Sequence, residues 1–311
     1  MRVCFIGNCG HSFQAYHTLK KLDYITFCGT APGSPHENMS ASFFPDVPFF
    51  QNYKEMLDTT SPHLAIVSPV FALTGSIILE CADRGIDVFA EKPVASSLEE
   101  LEQVEHAVKN AGIRFSSMHF LRFSPAIYLA GKLVREGAIG QPRLITAQKS
   151  YKFGTRPEWY KDRSLYGGTI PWVGIHAMDW ISYFTQKHFL AVTALHSGSP
   201  EMIALCQFEL EDDITASINV DYLRPTTASS HDDDRIRCAG TRGVIEVINK
   251  RVTLINDDGT QEYTPTEAPD LTLEFLLGHE PISSEEIFHI TRAAITARDA
   301  ADCGKKLQIK G

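Results

Sequence analysis

The sequence has no C-x-x-C pair, and its cysteines are odd in number, seven, at positions 4, 9, 28, 81, 206, 238 and 303. That spacing fits neither a zinc knuckle nor a closed disulfide framework, and it points to the reducing cytoplasm. Positive charge is also short. Only 29 Lys and Arg stand against 38 Asp and Glu, a formal charge of −9. An acidic surface repels phosphate backbones, which argues against a nucleic-acid partner. A long unbroken apolar run is missing too. The longest uncharged stretch, 59–79, contains Pro62, Pro69, Gly75 and six Ser or Thr residues. It reads as strand, turn and helix start, not as a membrane span. Residues 1–6 are short and apolar and run into a glycine turn, so no signal peptide is expected there. No internal repeat and no low-complexity tract is visible.

What is present is ordinary for a globular chain: 43% hydrophobic and 22% charged residues among 311. At about 150 residues per domain, two domains are expected. The first 120 residues alternate short apolar runs with helical periodicity. Strands are predicted at 3–6, 24–28, 64–67, 87–90 and 113–118. Helices are predicted at 13–22, 53–57, 75–84 and 98–110, the last opened by a capping box of Ser97 and Glu100. Strands that alternate with helices and are apolar on both faces form a parallel, doubly wound sheet, whose ligands bind at the carboxyl ends of the strands.

The remainder reads differently. Helices are predicted at 125–136, 171–184 and 283–303, with strands at 142–152, 190–196, 203–210, 214–223, 233–240, 243–248 and 251–256. Successive strands with helices grouped elsewhere indicate an α+β domain with a large open mixed or antiparallel sheet. The run Asp232-Asp233-Asp234 is expected to be a solvated turn rather than a cation site. No metal site is expected.

Gly7-Asn8-Cys9-Gly10-His11-Ser12 follows the first strand and opens the first helix. A dinucleotide pyrophosphate would sit there, on free backbone amides at the positive end of a helix. The full pattern is G-x-G-x-x-G. Here Cys9 and Ser12 replace the second and third glycines, so context carries more weight than the motif. The second strand ends near Gly29 and Thr30 without the Asp or Glu that usually holds the adenosine ribose; the next acidic residue is Glu37. Residues 25–36 contain no Lys or Arg for a 2′-phosphate, which Thr30, Ser34 and His36 could bind only weakly. NAD and NADP both stay open.

The fourth strand ends in Glu91-Lys92-Pro93, and Leu121-Arg122-Phe123-Ser124-Pro125 follows. Further on come Glu136-Gly137-Ala138-Ile139-Gly140-Gln141-Pro142, then Gly167-Gly168, then His176-Ala177-Met178-Asp179. Gly240-Thr241-Arg242-Gly243-Val244-Ile245-Glu246 and the helix at 293–301 complete the series. In this order the motifs resemble the glucose-fructose oxidoreductase / inositol dehydrogenase (Gfo/Idh/MocA) family over nearly the whole chain. The resemblance implies a Rossmann domain, taken as 1–121, and a substrate-binding and oligomerisation domain, 122–311. It implies hydride transfer between NAD(P) and a sugar-like or polyol-like alcohol or ketone, and a homodimer or homotetramer paired through the C-terminal sheet.

Residue by residue, the resemblance makes Lys92 the active-site lysine and His176 the substrate-side histidine, both able to move the alcohol proton. Gly7, Asn8, Cys9, Gly10, His11, Ser12, Gly29, Thr30, Ser68, Pro69, Glu91, Lys92 and Pro93 are the candidate cofactor contacts. Glu91 is assigned to holding backbone or ribose. His119, Arg122, Arg156, Trp159, Tyr160, Trp172, His176 and Asp179 are the candidate substrate contacts. Aromatic faces with an arginine suit a sugar ring or a carboxylated substrate. On a helix from 171, Trp172, His176 and Asp179 would share one face. Two departures stand out. Trp172 occupies a position where many members carry Asp, and Leu73 one where S-P-x-x-x-H members carry His. Together with Cys9 and the absent ribose carboxylate, they keep a second reading open: a non-catalytic regulator or scaffold of the same fold.

Overall fold

The computed structural model describes residues 1–198 and 201–310. In chain order the elements are β1 (Arg2–Ile6), α1 (Ser12–Leu19), β2 (Thr26–Ala31), α2 (Tyr53–Thr60), β3 (Leu64–Val67), α3 (Thr74–Ala82), β4 (Asp87–Ala90), α4 (Leu98–Ala111), β5 (Phe115–Ser117) and α5 (Pro125–Arg135). Next come β6 (Pro142–Tyr151), α6 (Arg163–Tyr166), α7 (Ile175–Thr185), β7 (Phe189–Ser197), β8 (Ile203–Leu210), β9 (Thr215–Asp221), β10 (Asp232–Gly240) and β11 (Gly243–Ile248). The chain finishes with β12 (Arg251–Asn256), β13 (Gly259–Tyr263), α8 (Leu271–Leu276), α9 (Ser284–Cys303) and β14 (Leu307–Gln308). They divide into two compact units.

The first unit holds residues 1–118, 162–167 and 270–291. Its five strands form one sheet in the order β2-β1-β3-β4-β5, all parallel. Val3 to Ile6 and Leu64 to Val67 are fully buried, as a sheet covered on both faces requires. Phe5 stacks on Phe44 at 4.5 Å, and Phe89 and Phe115 stack on Phe275 and Phe288, both at 5.3 Å. Ser97 caps α4, its hydroxyl accepting from Glu100 N–H, and Gly112 ends the helix in the left-handed region. The Glu100 carboxylate accepts from the N–H and hydroxyl of Ser96, one residue earlier than the expected box.

One strand is displaced from its expected place. β2 runs to Ala31, so Gly29 and Thr30 lie inside it. Gly29 is a packing position: a Cβ there would lie 2.7 Å from Met56 Cγ. Thr30 exchanges backbone bonds with Pro48 and Phe50, which extends the strand past the glycine. The carboxyl end of β2 is therefore Ala31-Pro32-Gly33.

The second unit holds residues 119–161, 168–269 and those from 292 onward. Its nine-stranded sheet has the order β13-β12-β11-β10-β6-β9-β8-β7-β14. β6 and β9 are parallel, and the other neighbours are antiparallel. β8 alternates strictly between exposed and buried positions. One face packs against helices, while Leu144, Leu190, Leu195, Ile203, Leu205 and Ile255 are exposed. α5 starts with Pro125 at its first position and buries Ala126, Ile127, Ala130 and Val134. Gly131 lets the helix approach Tyr183, 2.2 Å from where a Cβ would sit.

Two expectations are corrected in this unit. Asp232, Asp233 and Asp234 are not a turn but the start of β10, paired with Tyr151, Ser150 and Lys149. Lys149 and Arg235 neutralise Asp234 and Asp233 there. The helix expected at 171–184 begins as a π-helical turn, Ile170–Gly174, before α7. The wider turn breaks the 3.6-residue register, so Trp172 and His176 are not simple i, i+4 neighbours.

Gly7 has φ +81°, and a Cβ would lie 2.4 Å from Ser68 O and 2.5 Å from Pro69 Cα, both backbone atoms. Gly7→Ala is expected to cost about 2 kcal/mol or more, from the left-handed backbone and the clash together. Urea denaturation of the two proteins checks it.

Candidate active site

The first unit gathers its candidate residues where the parallel strands end. Gly7 N–H donates to Ala31 O, and Cys9 N–H donates to Ser68 O, both at 2.8 Å. The turn is thus tied to the ends of β2 and β3. Gly10, at φ +77°, leaves no room for a Cβ, which would fall 2.2 Å from Glu91 Oε2. α1 then presents its first-turn amides, which have no partner within the helix. The hydroxyls of Ser12, Thr30 and Ser68 are buried without a hydrogen-bond partner. Two obligatory glycines, a helix N-terminus and the unanswered hydroxyls of Ser12, Thr30 and Ser68 fit a dinucleotide. Cys9 also fits: burial pushes its thiol far up, and Glu37 and Glu91 push further in the same direction, so it stays neutral.

Glu91 ends β4 and is fully buried. Its Oε2 accepts from His11 N–H at 2.6 Å, and the His11 ring Nδ1 lies 2.9 Å from Oε1. Lys92 N–H donates to Oε1 at 3.1 Å, and Lys92 Nζ lies 3.9 Å from the same oxygen. Burial alone would raise the pKa of this carboxyl. His11 first, then Lys92, outweigh that and hold it below the usual glutamate range. Glu91 is therefore an anion shared between the turn and the lysine. Lys92 is itself buried, and Pro93 follows across a cis bond.

Glu37 was not among the sequence candidates. It lies six residues beyond β2 and is 8% exposed. Gly33 N–H donates to Oε2 at 3.0 Å, and Val70 N–H donates to Oε1 at 2.9 Å. Burial pushes its carboxyl up to about 7, against the opposing pull of these two amides. Its sequence signal was only that of the next acidic residue after the strand.

In the second unit, His176 stands buried in the first turn of α7, and Trp172 is buried in the π-helical turn. Arg122 and Asp179 meet each other. Arg122 Nε and Nη2 donate to Asp179 Oδ1 at 3.0 and 2.6 Å, with both side chains buried and the guanidinium 5.1 Å from the Tyr183 ring. His119 is fully buried, and its carbonyl accepts from Arg122 N–H. Arg156 lies over the rings of Tyr160 and Tyr222 at 5.2 and 5.3 Å, and Trp159 packs on Tyr160 at 4.4 Å. Tyr222 was missed, as was Lys149. The Lys149 Nζ donates to Asp234 Oδ2 at 2.5 Å and sits 4.6 Å from the Trp180 ring, and burial lowers its pKa. Trp180 lies four residues beyond His176 on α7, a spacing that could have marked it. Among the described residues, no group of three or more His, Cys, Asp or Glu could hold a metal ion. No helix among them is long and apolar enough to cross a membrane.

Removing one partner of a buried ion pair strands the other charge. Asp179→Asn is expected to lower unfolding stability by about 3–5 kcal/mol, and Arg122→Met added to it to recover part of the loss. Denaturant unfolding of the single and double variants measures this.

Comparison with known proteins agrees with this geometry. Residues 2–119 match the family model described as an oxidoreductase family with an NAD-binding Rossmann fold, and residues 128–246 match the GFO/IDH/MocA C-terminal domain. A Thermotoga maritima protein of solved structure, provisionally named an oxidoreductase, is 40% identical. The similarity covers 99% of this chain and 100% of that one, with a TM-score of 0.95. Levoglucosan dehydrogenase of Pseudarthrobacter phenanthrenivorans is 26% identical over 62% of this chain and 53% of its own length. The scyllo-inositol 2-dehydrogenase (NADP(+)) of Bacillus subtilis is 28% identical over 44% of this chain and 38% of its own. The matched stretches thus span about half or less of these two curated relatives. With both halves matched and the fold shared end to end, the chain belongs to the GFO/IDH/MocA family of NAD-binding oxidoreductases.

Proposed function

We propose that the protein interconverts a sugar-like or polyol-like alcohol and its ketone, with residues 1–121 holding the cofactor and 122–311 the substrate. The observation that carries this reading is the Glu91 carboxylate, bonded to the phosphate-turn residue His11 and beside Lys92. It links the cofactor turn after β1 to the buried ammonium of the next residue, Lys92, at the end of β4. When bound, the dinucleotide takes or gives the hydride. Gly7, Gly10 and the first turn of α1 would hold its pyrophosphate, with Ser12, Thr30 and Ser68 supplying hydroxyls. Asn8, Ser68, Pro69 and Pro93 shape the strand ends around them, while Gly29 packs inside β2.

Lys92 is assigned to orienting the reacting oxygen and passing it a proton, and His176 to taking the alcohol proton during oxidation. Trp159, Tyr160 and Trp172 offer flat faces to a sugar ring, and Arg156 a cation for its oxygens. His119, Arg122 and Asp179 are assigned a supporting role, because Arg122 and Asp179 are already committed to each other. Trp172 cannot act as a carboxylate partner to His176. The exposed apolar residues of the nine-stranded sheet support pairing with a second copy, as a homodimer or homotetramer. Seven free thiols agree with a cytoplasmic setting.

Lys92→Ala is expected to lower kcat/KM at least about 100-fold, the range for losing an acid–base group. The NADH dissociation constant should change far less. Steady-state kinetics on sugars and polyols, with a parallel fluorescence titration, separates the two. Near-normal turnover would remove Lys92 from this role.

A further inference from the structure

Three strands of the nine-stranded sheet meet at one end. β6 and β9 finish there, and β10, antiparallel to β6, begins there. Lys149 and Tyr151 of β6 pair with Asp234 and Asp232 of β10, and Lys149 also pairs with Val220 of β9. Alternation along the strands puts these side chains on one face. Tyr222, just past β9, brings its ring to 6.3 Å from that of Tyr151. α7 covers the same face. Lys149 Nζ lies 4.6 Å from the Trp180 ring, and a Cβ on Gly174 would lie 3.3 Å from Val220 Cγ2. The π-helical turn that carries Trp172 and leads into His176 is therefore packed on this end of the sheet.

Arg156, in the loop after β6, reaches the same end. Its guanidinium carbon lies 5.2, 5.3 and 6.0 Å from the centres of the Tyr160, Tyr222 and Phe153 rings. Nη2 donates to Lys152 O at 3.3 Å, and Nε is buried without a hydrogen-bond partner. The other cations here are taken: Lys149 by Asp234, and Lys152 by the carbonyl of Ala228. Among the described residues no carboxylate pairs with Arg156. His231, stacked 5.1 Å from Tyr151, adds no charge at neutral pH. Burial, then Arg156, hold it below its ordinary range against the pull of Asp232, and Lys152 and Lys149 add to that. Resting on the alcohol–ketone reading above, we infer that Arg156 binds a carboxylate of the substrate, so that the protein acts on sugar acids in preference to neutral sugars and polyols. A guanidinium steadied by aromatic rings is a planar fork, which a carboxylate meets with two parallel charge-assisted bonds and a hydroxyl does not. The rings around it suit the apolar face of the same sugar.

The test is steady-state oxidation of matched pairs with NAD and with NADP: D-gluconate against D-glucitol, D-galacturonate against D-galactose, and D-xylonate against xylitol. Wild type should turn over at least one acid with kcat/KM about thirtyfold or more above its neutral mate, the scale of a charge-assisted pair. Arg156→Met should bring that ratio within about threefold, chiefly through a raised KM for the acid. Arg156→Lys, which keeps the charge but not the fork, should fall between the two. Should Arg156→Met fail to fold, the wild-type ratio decides. A wild-type ratio below about threefold for every pair, or one unchanged in Arg156→Met, overturns the carboxylate assignment while leaving alcohol oxidation intact. Folded, dinucleotide-binding wild type that oxidises neither class overturns both.

Discussion

A carboxylate with no access to water has to be answered by donors, and Glu91 is answered from two directions. The His11 backbone and ring reach it from the glycine turn, and the Lys92 backbone and ammonium from its own strand end. Left unpaired at full burial, this charge would cost several kcal/mol. The turn and the lysine therefore cannot drift apart without exposing that cost. Gly10 is needed because the Glu91 carboxylate occupies the space of its side chain. The family's Lys-bearing motif and its glycine turn thus form one electrostatic unit in this chain.

The same logic recurs in the second unit. Arg122 and Asp179, about sixty residues apart, are buried together, and Lys149 and Asp234 join β6 to β10. Each pair fixes which residues meet, since breaking one strands a charge. Trp172 sits in a π-helical turn, an irregularity often found at functional sites.

Most of this was legible in the sequence. The alternation of short apolar runs with capped helices gave the parallel sheet, and the run of strands after 190 gave the mixed one. Ser97 and Pro125 marked helix starts because each has one physical reason to be there. What escaped depended on tertiary contact. Gly29 looked like a strand terminator but packs inside β2 against Met56. The three aspartates looked like a solvated turn but open a strand, where Asp233 and Asp234 are paired with cations. α8 and its Phe275, stacked on Phe89, have no local sign of belonging to the first sheet. Glu37 was visible only as an acid too far from its strand, because the bonds from Gly33 and Val70 that place it are non-local. The pairing of Arg122 with Asp179 was equally hidden, since spacing cannot show two distant charges meeting.

Hydride transfer is the claim on which the rest converges, and isotope labelling tests it most directly. The purified protein would be incubated with NADH deuterated at the nicotinamide C4 and with a panel of keto-sugars and keto-polyols. The products would be read by mass spectrometry. Deuterium bound to carbon in a newly formed alcohol is expected, at a level that depends on Lys92. Cofactor bound to folded protein with no deuterium passed to any member of the panel would contradict it and favour a non-catalytic member of the fold.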